Sequence, residues 1–249
     1  MIAAIHQPNF MPWVGYFHKM AQVDEMIFFD SVAISNGKTW TSRCKILLHG
    51  AEHWLTLPTL KSGRGGQRIC DVELIDFAQN WHKTLTTIRH AYHRAPYFDD
   101  VFPFLVSLKA ENFHLLADFN CFFIESVAHH LGLEHVRFNR SSSKAELMNS
   151  SDLKTDYIVS TCLAFGVDNY LSGKGNSVGF LELEKFEKAG IAIDFQEFTH
   201  PTYKQPHTEG VFVKGLSIVD MLMQMGWELT SETLLSDEKS SFQQVLWEY

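Results

Sequence analysis

No apolar run in this 249-residue chain approaches the ~20 residues that a membrane-spanning helix requires. The N-terminus shows neither the basic region nor the long apolar core of a signal peptide, which points to a cytoplasmic protein with no membrane span. There are only four cysteines, Cys44, Cys70, Cys121 and Cys162, and no two of them form a CxxC pair. They read as free, packing thiols rather than a disulfide framework. The histidines complete no Cys/His spacing for structural zinc, so no metal is expected. Internal repeats, heptads and low-complexity tracts are also missing. What remains is an ordinary globular composition, 45% hydrophobic and 20% charged.

The net charge of −8 is unevenly placed. Residues 1–94 hold ten Lys and Arg against seven Asp and Glu, and residues 95–249 hold eleven against twenty-two. A broad basic face for nucleic acid is lacking. Basic residues concentrated around one region of an acidic protein suggest a small anionic ligand, a phosphate or a carboxylate. The plainer reading is that the acidic C-terminal half serves solubility.

The densest information lies in the first thirty residues. An apolar run ends at His6, Gln7-Pro8-Asn9-Phe10-Met11-Pro12 is stiffened by two prolines, a helix-like stretch runs to Gln22, and a second apolar run from Met26 ends at Asp30. This is strand, loop, helix, strand. Later segments continue the alternation. Strands are expected over 40–48, 54–58, 69–75, 169–172 and 191–198, and helices over 80–95, 102–131, 154–165, 180–189 and 216–225. A polar linker starts at Ser141-Ser142-Ser143. The pattern predicts an α/β fold with a mainly parallel, Rossmann-like sheet, flanking helices and a helical insertion around 80–135, all in one domain over 1–249.

In open α/β sheets ligands bind at the carboxyl ends of strands. His6 and Asp30 each end an apolar strand and are the candidate catalytic residues, with Gln7 beside them. His6 can serve as base, acid or hydrogen-bond donor; the alternative is a capped histidine at a strand end. Pro12-Trp13-Val14-Gly15-Tyr16 opens the first helix, where exposed N–H groups favour anions and Gly15 permits close approach; alternatively Gly15 only packs helix on sheet. Asp30 groups with Lys38, Trp40 and Arg43, and alternation places Lys45 on the strand face of Arg43. Arg43 can grip a carboxylate or phosphate, or form a surface salt bridge with Asp30. The Ser172-Gly173-Lys174-Gly175-Asn176-Ser177 loop follows a strand and can cradle phosphate; it lacks the P-loop signature, and a plain turn is the alternative. Asp220 sits in an apolar helix, either favouring its N-terminus or pointing into the site. Tyr92-His93-Arg94-Ala95-Pro96-Tyr97 is a polar and aromatic helix end able to line a sugar or nucleotide pocket, though the plainer reading outweighs that one. The histidines around it share no single face for a metal cluster.

These residues together resemble the WbqC-like family. The matching segments are His6-Gln7-Pro8-Asn9-Phe10, Pro12-Trp13-Val14-Gly15-Tyr16-Phe17, Asp24, Asp30, Trp40 with Arg43 (Ser42 standing where asparagine is usual), Trp54-Leu55, Trp81, Ala91-Tyr92, Pro96-Tyr97, Tyr170-Leu171-Ser172-Gly173 and Leu216 to Leu222. The resemblance spans residues 2–226. It implies a setting in O-antigen and related surface-polysaccharide biosynthesis, and attachment of a glycyl or other acyl group to an amino sugar. A more distant architectural similarity is to the HIGH-type nucleotidyltransferases and pantothenate synthetase, which place ATP phosphates at a helix start. The HxGH signature is missing here; only Gly15 stands in its place.

The expected function is therefore a transferase or ligase that forms an amide on a small-molecule substrate, a nucleotide-linked amino sugar. His6 is the expected base and Asp30 the amine holder. Gln7, Trp13, Gly15, Tyr16, Trp40, Arg43, Gly173, Lys174 and Asp220 are expected to bind substrate. No cofactor follows from the residues, and ATP is the candidate from the distant likeness. The rivals are a non-catalytic binding or scaffold protein of the polysaccharide machinery and a nucleotidyltransferase-like enzyme.

Overall fold

The structure, a computed structural model, describes residues 1–35, 37, 39–60, 65–174, 179 and 181–236. Five parallel strands form its main sheet: β1 (Ile2–His6), β2 (Glu25–Phe28), β5 (Arg137–Arg140), β6 (Asn169–Ser172) and β7 (Ala192–Phe195). A separate antiparallel hairpin joins β3 (Arg43–Leu48) to β4 (Ala51–Thr56). The expected α/β class with a parallel, Rossmann-like sheet is what the chain adopts.

The strands lie in the order β5-β2-β1-β6-β7. The chain builds outward from β1 to one edge, then returns to the other side of β1 and builds to the opposite edge. The direction of growth reverses between β1 and β6, and such a reversal opens a crevice beyond the strands' carboxyl ends. The sequence of β1 suits a central strand. Ala3 and Ala4 are fully buried and short, so helices approach closely on both faces.

Alternation splits the core in two. Ala4, Met26, Phe28 and Leu171 face the helices α1 (Val14–Ala21), α4 (Leu116–His130) and α8 (Ile218–Ser236). Ala3, Ile5, Ile27 and Tyr170 face α6 (Thr155–Phe165) and α7 (Leu183–Lys188) through Ile158, Cys162 and Phe186. The remaining helices are α2 (Phe77–Tyr92), α3 (Phe98–Ser107) and the single turn α5 (Ala145–Met148). Trp81 of α2 is fully buried against Phe77 and Phe119, and its indole N–H donates to the Leu105 carbonyl at 3.2 Å.

Several local expectations are corrected. Residues 69–75 are not a strand. Ile69–Asp71 form a 3₁₀ turn, and the flanking residues pair singly with different neighbours, Ala33 with Arg68, Thr59 with Leu74 and Glu73 with Leu115. The long helix expected over 102–131 is broken into α3 and α4 where Asn112 takes φ 41°. The last helix does not stop at Gly226. It kinks there (φ 73°, ψ 179°) and continues to Ser236, with the Tyr97 ring packed where a Cβ would stand. The short edge strand β5 was not expected; its residues Arg-Phe-Asn-Arg are mostly polar. Among the described residues no helix is long and apolar enough to cross a membrane.

Candidate active site in the crevice beside the central strand

The reversal between β1 and β6 holds a cavity of about 530 Å³, within the ordinary range for small-molecule sites. His6 reaches it from the end of β1, Trp13, Gly15, Tyr16 and Lys19 from α1 and its entry, Gly173 and Lys174 from the end of β6, and Gln196, Glu197 and Phe198 from beyond β7.

His6 is held on two sides. Its Nδ1 lies 3.0 Å from the Gln7 carbonyl, which can only accept, so Nδ1 carries the proton and Nε2 keeps its lone pair. The Tyr16 ring meets the imidazole edge to face at 4.7 Å, and the Tyr16 hydroxyl donates to the same Gln7 carbonyl at 3.3 Å. Burial, then the charge of Lys19, pushes the imidazole down to about 3. His6 is thus neutral near pH 7 and a weak base.

Lys19, absent from the residues singled out in the sequence, is 3% exposed. Burial lowers its ammonium from an ordinary 10.5 to about 7. Among the described residues no carboxylate pairs with it. A lysine in Val-Gly-Tyr-Phe-His-Lys-Met-Ala reads as a solvent-facing residue, yet all eight residues of α1 are buried. The available signal was spacing: Lys19 follows Tyr16 by three and Gly15 by four, the interval that puts side chains on one helix face.

Trp13 forms a wall, its ring edge to face with Phe198 at 5.2 Å. The space beside Gly15 is taken by that indole, so Gly15 makes room for Trp13 and not for a ligand. Gln196 ties β7 to α1 by donating from Nε2 to the Gly15 carbonyl at 2.9 Å, with His18 Nδ1 also at 2.9 Å. Lys174 pairs with Glu197 across the rim. Gly175, Asn176 and Ser177 of the glycine-rich loop, and Lys38, lie outside the described residues.

His6, Asp30 and Arg43 do not share this crevice. The Asp30 carboxylate is fully buried and committed elsewhere. It accepts from Arg140 Nε at 2.6 Å, Ser142 Oγ at 2.8 Å, the Ser142 N–H at 2.9 Å and Ser141 Oγ at 3.2 Å, while Arg140 also reaches Asp118 at 2.6 Å. It clasps the ends of β2 and β5. Arg43 and Trp40 lie on and before the hairpin. The Arg43 guanidinium stacks 3.8 Å over Trp54, Trp40 packs on Trp54 at 5.1 Å, and Arg43 Nε is buried without a hydrogen-bond partner among the described residues. Gln7 lines another cavity, of about 360 Å³, with Phe29, Ser31 and Tyr157; neighbouring strand-end residues face opposite ways. Asp220 is fully buried and accepts from Tyr92 at 2.7 Å, Tyr203 at 2.8 Å and Gln205 at 3.2 Å, and burial raises its pKa. It lines none of these cavities.

The arrangement unites a neutral imidazole, an amine close to half-protonated at neutral pH and an aromatic wall, in a crevice with a second lysine at its mouth. It is able to hold an anion and to accept a proton.

A model of the WbqC-like protein family matches residues 7–232. The chain belongs to that family. The match takes in the crevice residues from Trp13 to Phe198 and the strands β2, β5, β6 and β7, and begins just after β1 and His6. An uncharacterized protein of Mycobacterium tuberculosis, Rv1507c, is 28% identical over 228 residues, which covers 90% of this chain and 94% of the relative. No solved structure gives a significant match.

Proposed function

We propose that this protein forms an amide on an amino sugar, the sugar being nucleotide-linked and bound in the crevice beside β1. Membership of a family linked to O-antigen and polysaccharide biosynthesis supports the setting. The observation that carries the chemistry is Lys19, a buried amine with no carboxylate partner among the described residues, lowered to about 7 in a cavity it shares with His6.

A sugar ammonium must lose a proton before it attacks an acyl carbon, and a base with pKa near the working pH does this best. Lys19 fits that task better than His6, whose imidazole at about 3 is too weak a base. The ammonium gives one proton to Lys19, the freed amine nitrogen bonds to the acyl carbon of an activated donor, the nitrogen's second proton leaves with the donor's leaving group as that departs with its bonding pair, and Lys19 passes the first proton on to solvent. A free carboxylate donor needs prior activation, for which ATP is the candidate. His6 orients the substrate by hydrogen bonding at Nε2, Trp13 gives the sugar or base a flat wall, and Lys174 meets phosphate at the rim.

The test is to incubate the protein with a UDP-linked amino sugar, ATP and glycine, follow amide product by mass spectrometry, and measure thermal shifts with each ligand. A nucleotide sugar that binds only the folded state raises the melting temperature. Lys19→Met should fold and bind but lose about 10²–10⁴-fold in rate. Turnover in Lys19→Met equal to the parent's would remove Lys19 as the base. Binding without turnover in the parent would favour the non-catalytic reading.

A further inference from the structure

A second cavity, of about 450 Å³, lies where the end of α2 meets the turn of the β3–β4 hairpin and the 204–207 segment. It shares no lining residue with the crevice beside β1. Its walls carry His49, His90, His93, His207, Arg94 and Lys204, and no carboxylate is among its described lining residues. That concentration stands out in a chain of net charge −8.

The cluster is built by the backbone. β3 and β4 are joined by His49-Gly50, both at positive φ (51° and 78°), a two-residue turn of the kind that matches strand twist. A Cβ at residue 50 would stand 1.8 Å from the His207 carbonyl oxygen, so glycine lets the hairpin turn close onto the 207 segment. His207 itself holds φ 60°. The opposite wall is the last turn of α2 and the residues after it, the helix end whose polar and aromatic make-up the sequence displayed. His93 donates from Nδ1 to the His90 carbonyl at 3.4 Å, so Nε2 of the neutral ring keeps a lone pair. Tyr92 turns its hydroxyl inward to Asp220, so that buried acid is already engaged behind the wall.

A second observation points to a ligand. The Gln224 side-chain Nε2 is buried at this cavity and has no hydrogen-bond partner among the described residues. A buried amide donor left unpaired costs free energy, a cost relieved if the Gln224 side chain turns to meet an acceptor in the cavity it lines. The six basic side chains form no ion pair with any described carboxylate, and no described group of three His, Cys, Asp or Glu is arranged for a metal ion. These exposed basic side chains gather around one cavity with no carboxylate on its described lining, an arrangement suited to an anion rich in acceptor oxygens.

We infer that this cavity is a binding site for a phosphate-bearing ligand, with Arg94 and Lys204 supplying charge, His49, His90 and His207 supplying N–H donors and Gln224, once its side chain turns inward, supplying an amide donor. Arg and Lys are the usual partners of phosphoryl oxygens, and the volume accommodates a phosphorylated small molecule.

The probes are inorganic phosphate and inorganic diphosphate, titrated calorimetrically into the full chain. The parent, Arg94→Gln/Lys204→Gln and Lys19→Met are compared, and histidine ring resonances of the parent are followed by NMR. Diphosphate should bind the parent, bind Arg94→Gln/Lys204→Gln at least tenfold more weakly, and bind Lys19→Met unchanged. It should move several histidine ring resonances in the parent that also move in Lys19→Met. Equal binding by the Arg94/Lys204 variant would overturn the proposal, as would loss of binding in Lys19→Met alone, which would assign the anion to the crevice beside β1. Absence of both heat and ring shifts at millimolar diphosphate in the parent overturns it too. Because the ring shifts are read in the parent and in Lys19→Met, they decide the matter even if the double variant fails to fold.

Discussion

The Trp13 indole lies directly over the α-carbon of Gly15: a Cβ on residue 15 would stand 2.4 Å from the ring's Cη2. Trp13 is 37% exposed, which leaves solvent-filled space into which its ring can be displaced. Gly15→Ala should therefore leave the fold intact and displace the wall of the crevice. Its tryptophan emission should shift, and any ligand of the crevice should bind several-fold more weakly, with a stability loss at the low end of the ~1–3 kcal/mol typical of overpacking. Unchanged emission and affinity would show that the ring does not occupy this place in solution.

Lys19 ties stability to pH. Its folded value of about 7 lies below the 10.5 of the open chain, so between those limits the unfolded state holds more protons and stability rises with pH. The cost of the buried charge is complete below pH 7 and vanishes above 10.5. Lys19→Met lacks this dependence. Urea unfolding at pH 7, 8, 9 and 10 should show the parent gaining on the variant by a few kcal/mol in all, at about 1.4 kcal/mol per unit of pKa shift. Parallel curves would mean that the lysine is solvated. The same variant should raise His6, whose depression comes first from burial and then from this charge, as read from its imidazole resonance in an acid titration.

Asp30→Ala should destabilise without touching the crevice. It strips a fully buried carboxylate from Arg140 and two serine hydroxyls. Removing one partner of a buried pair costs on the order of 3–5 kcal/mol, and the Asp118 contact holds the loss toward the lower figure. Chemical denaturation measures it. A variant as stable as the parent but dead in catalysis would return Asp30 to the active site.

At the crevice mouth, Glu197→Gln should strengthen binding of a UDP-linked amino sugar about two- to fivefold, since it frees Lys174 from an exposed pair worth under ~1 kcal/mol. The gain should fade at high salt. Lys174→Ala should act in the opposite sense. If neither variant changes affinity, Lys174 does not meet the ligand.

The β1-α1-β2 unit was readable because two apolar runs end at polar residues on either side of a short helix, and strand alternation with helices announced a parallel sheet. β5 escaped because it lies at an edge, where Arg137 and Asn139 reach Glu25 of the neighbouring strand and leave no apolar alternation. Residues 69–75 imitate a strand because Ile69, Val72 and Leu74 all turn inward, but each meets a different neighbour. At the site, His6 was singled out by its position at a strand end, and Trp13 and Tyr16 by theirs at the opening of the first helix. Asp30 shares that position, yet its acid character is used up by an arginine 110 residues later, a partner no local pattern reveals. Lys19 was missed for the converse reason: burial, which lowers its pKa, is a property of the packed sheet and not of its helix.

The order of the sheet sets a schedule for the growing polypeptide. β1 is made before its neighbours and finishes at the centre, with β2 on one flank and β6 on the other. The first flank is available once residue 28 has been made, the second only when residues 169–172 have followed. At ordinary translation speeds that interval is on the order of 10 s. During it a strand of Ile-Ala-Ala-Ile offers one row of unpaired amide and carbonyl groups, the feature by which chains join edge to edge. A nascent chain stalled before residue 169 therefore exposes a sticky centre rather than a sticky rim, and ribosome-bound fragments of this length should be clients for chaperones until β6 is made.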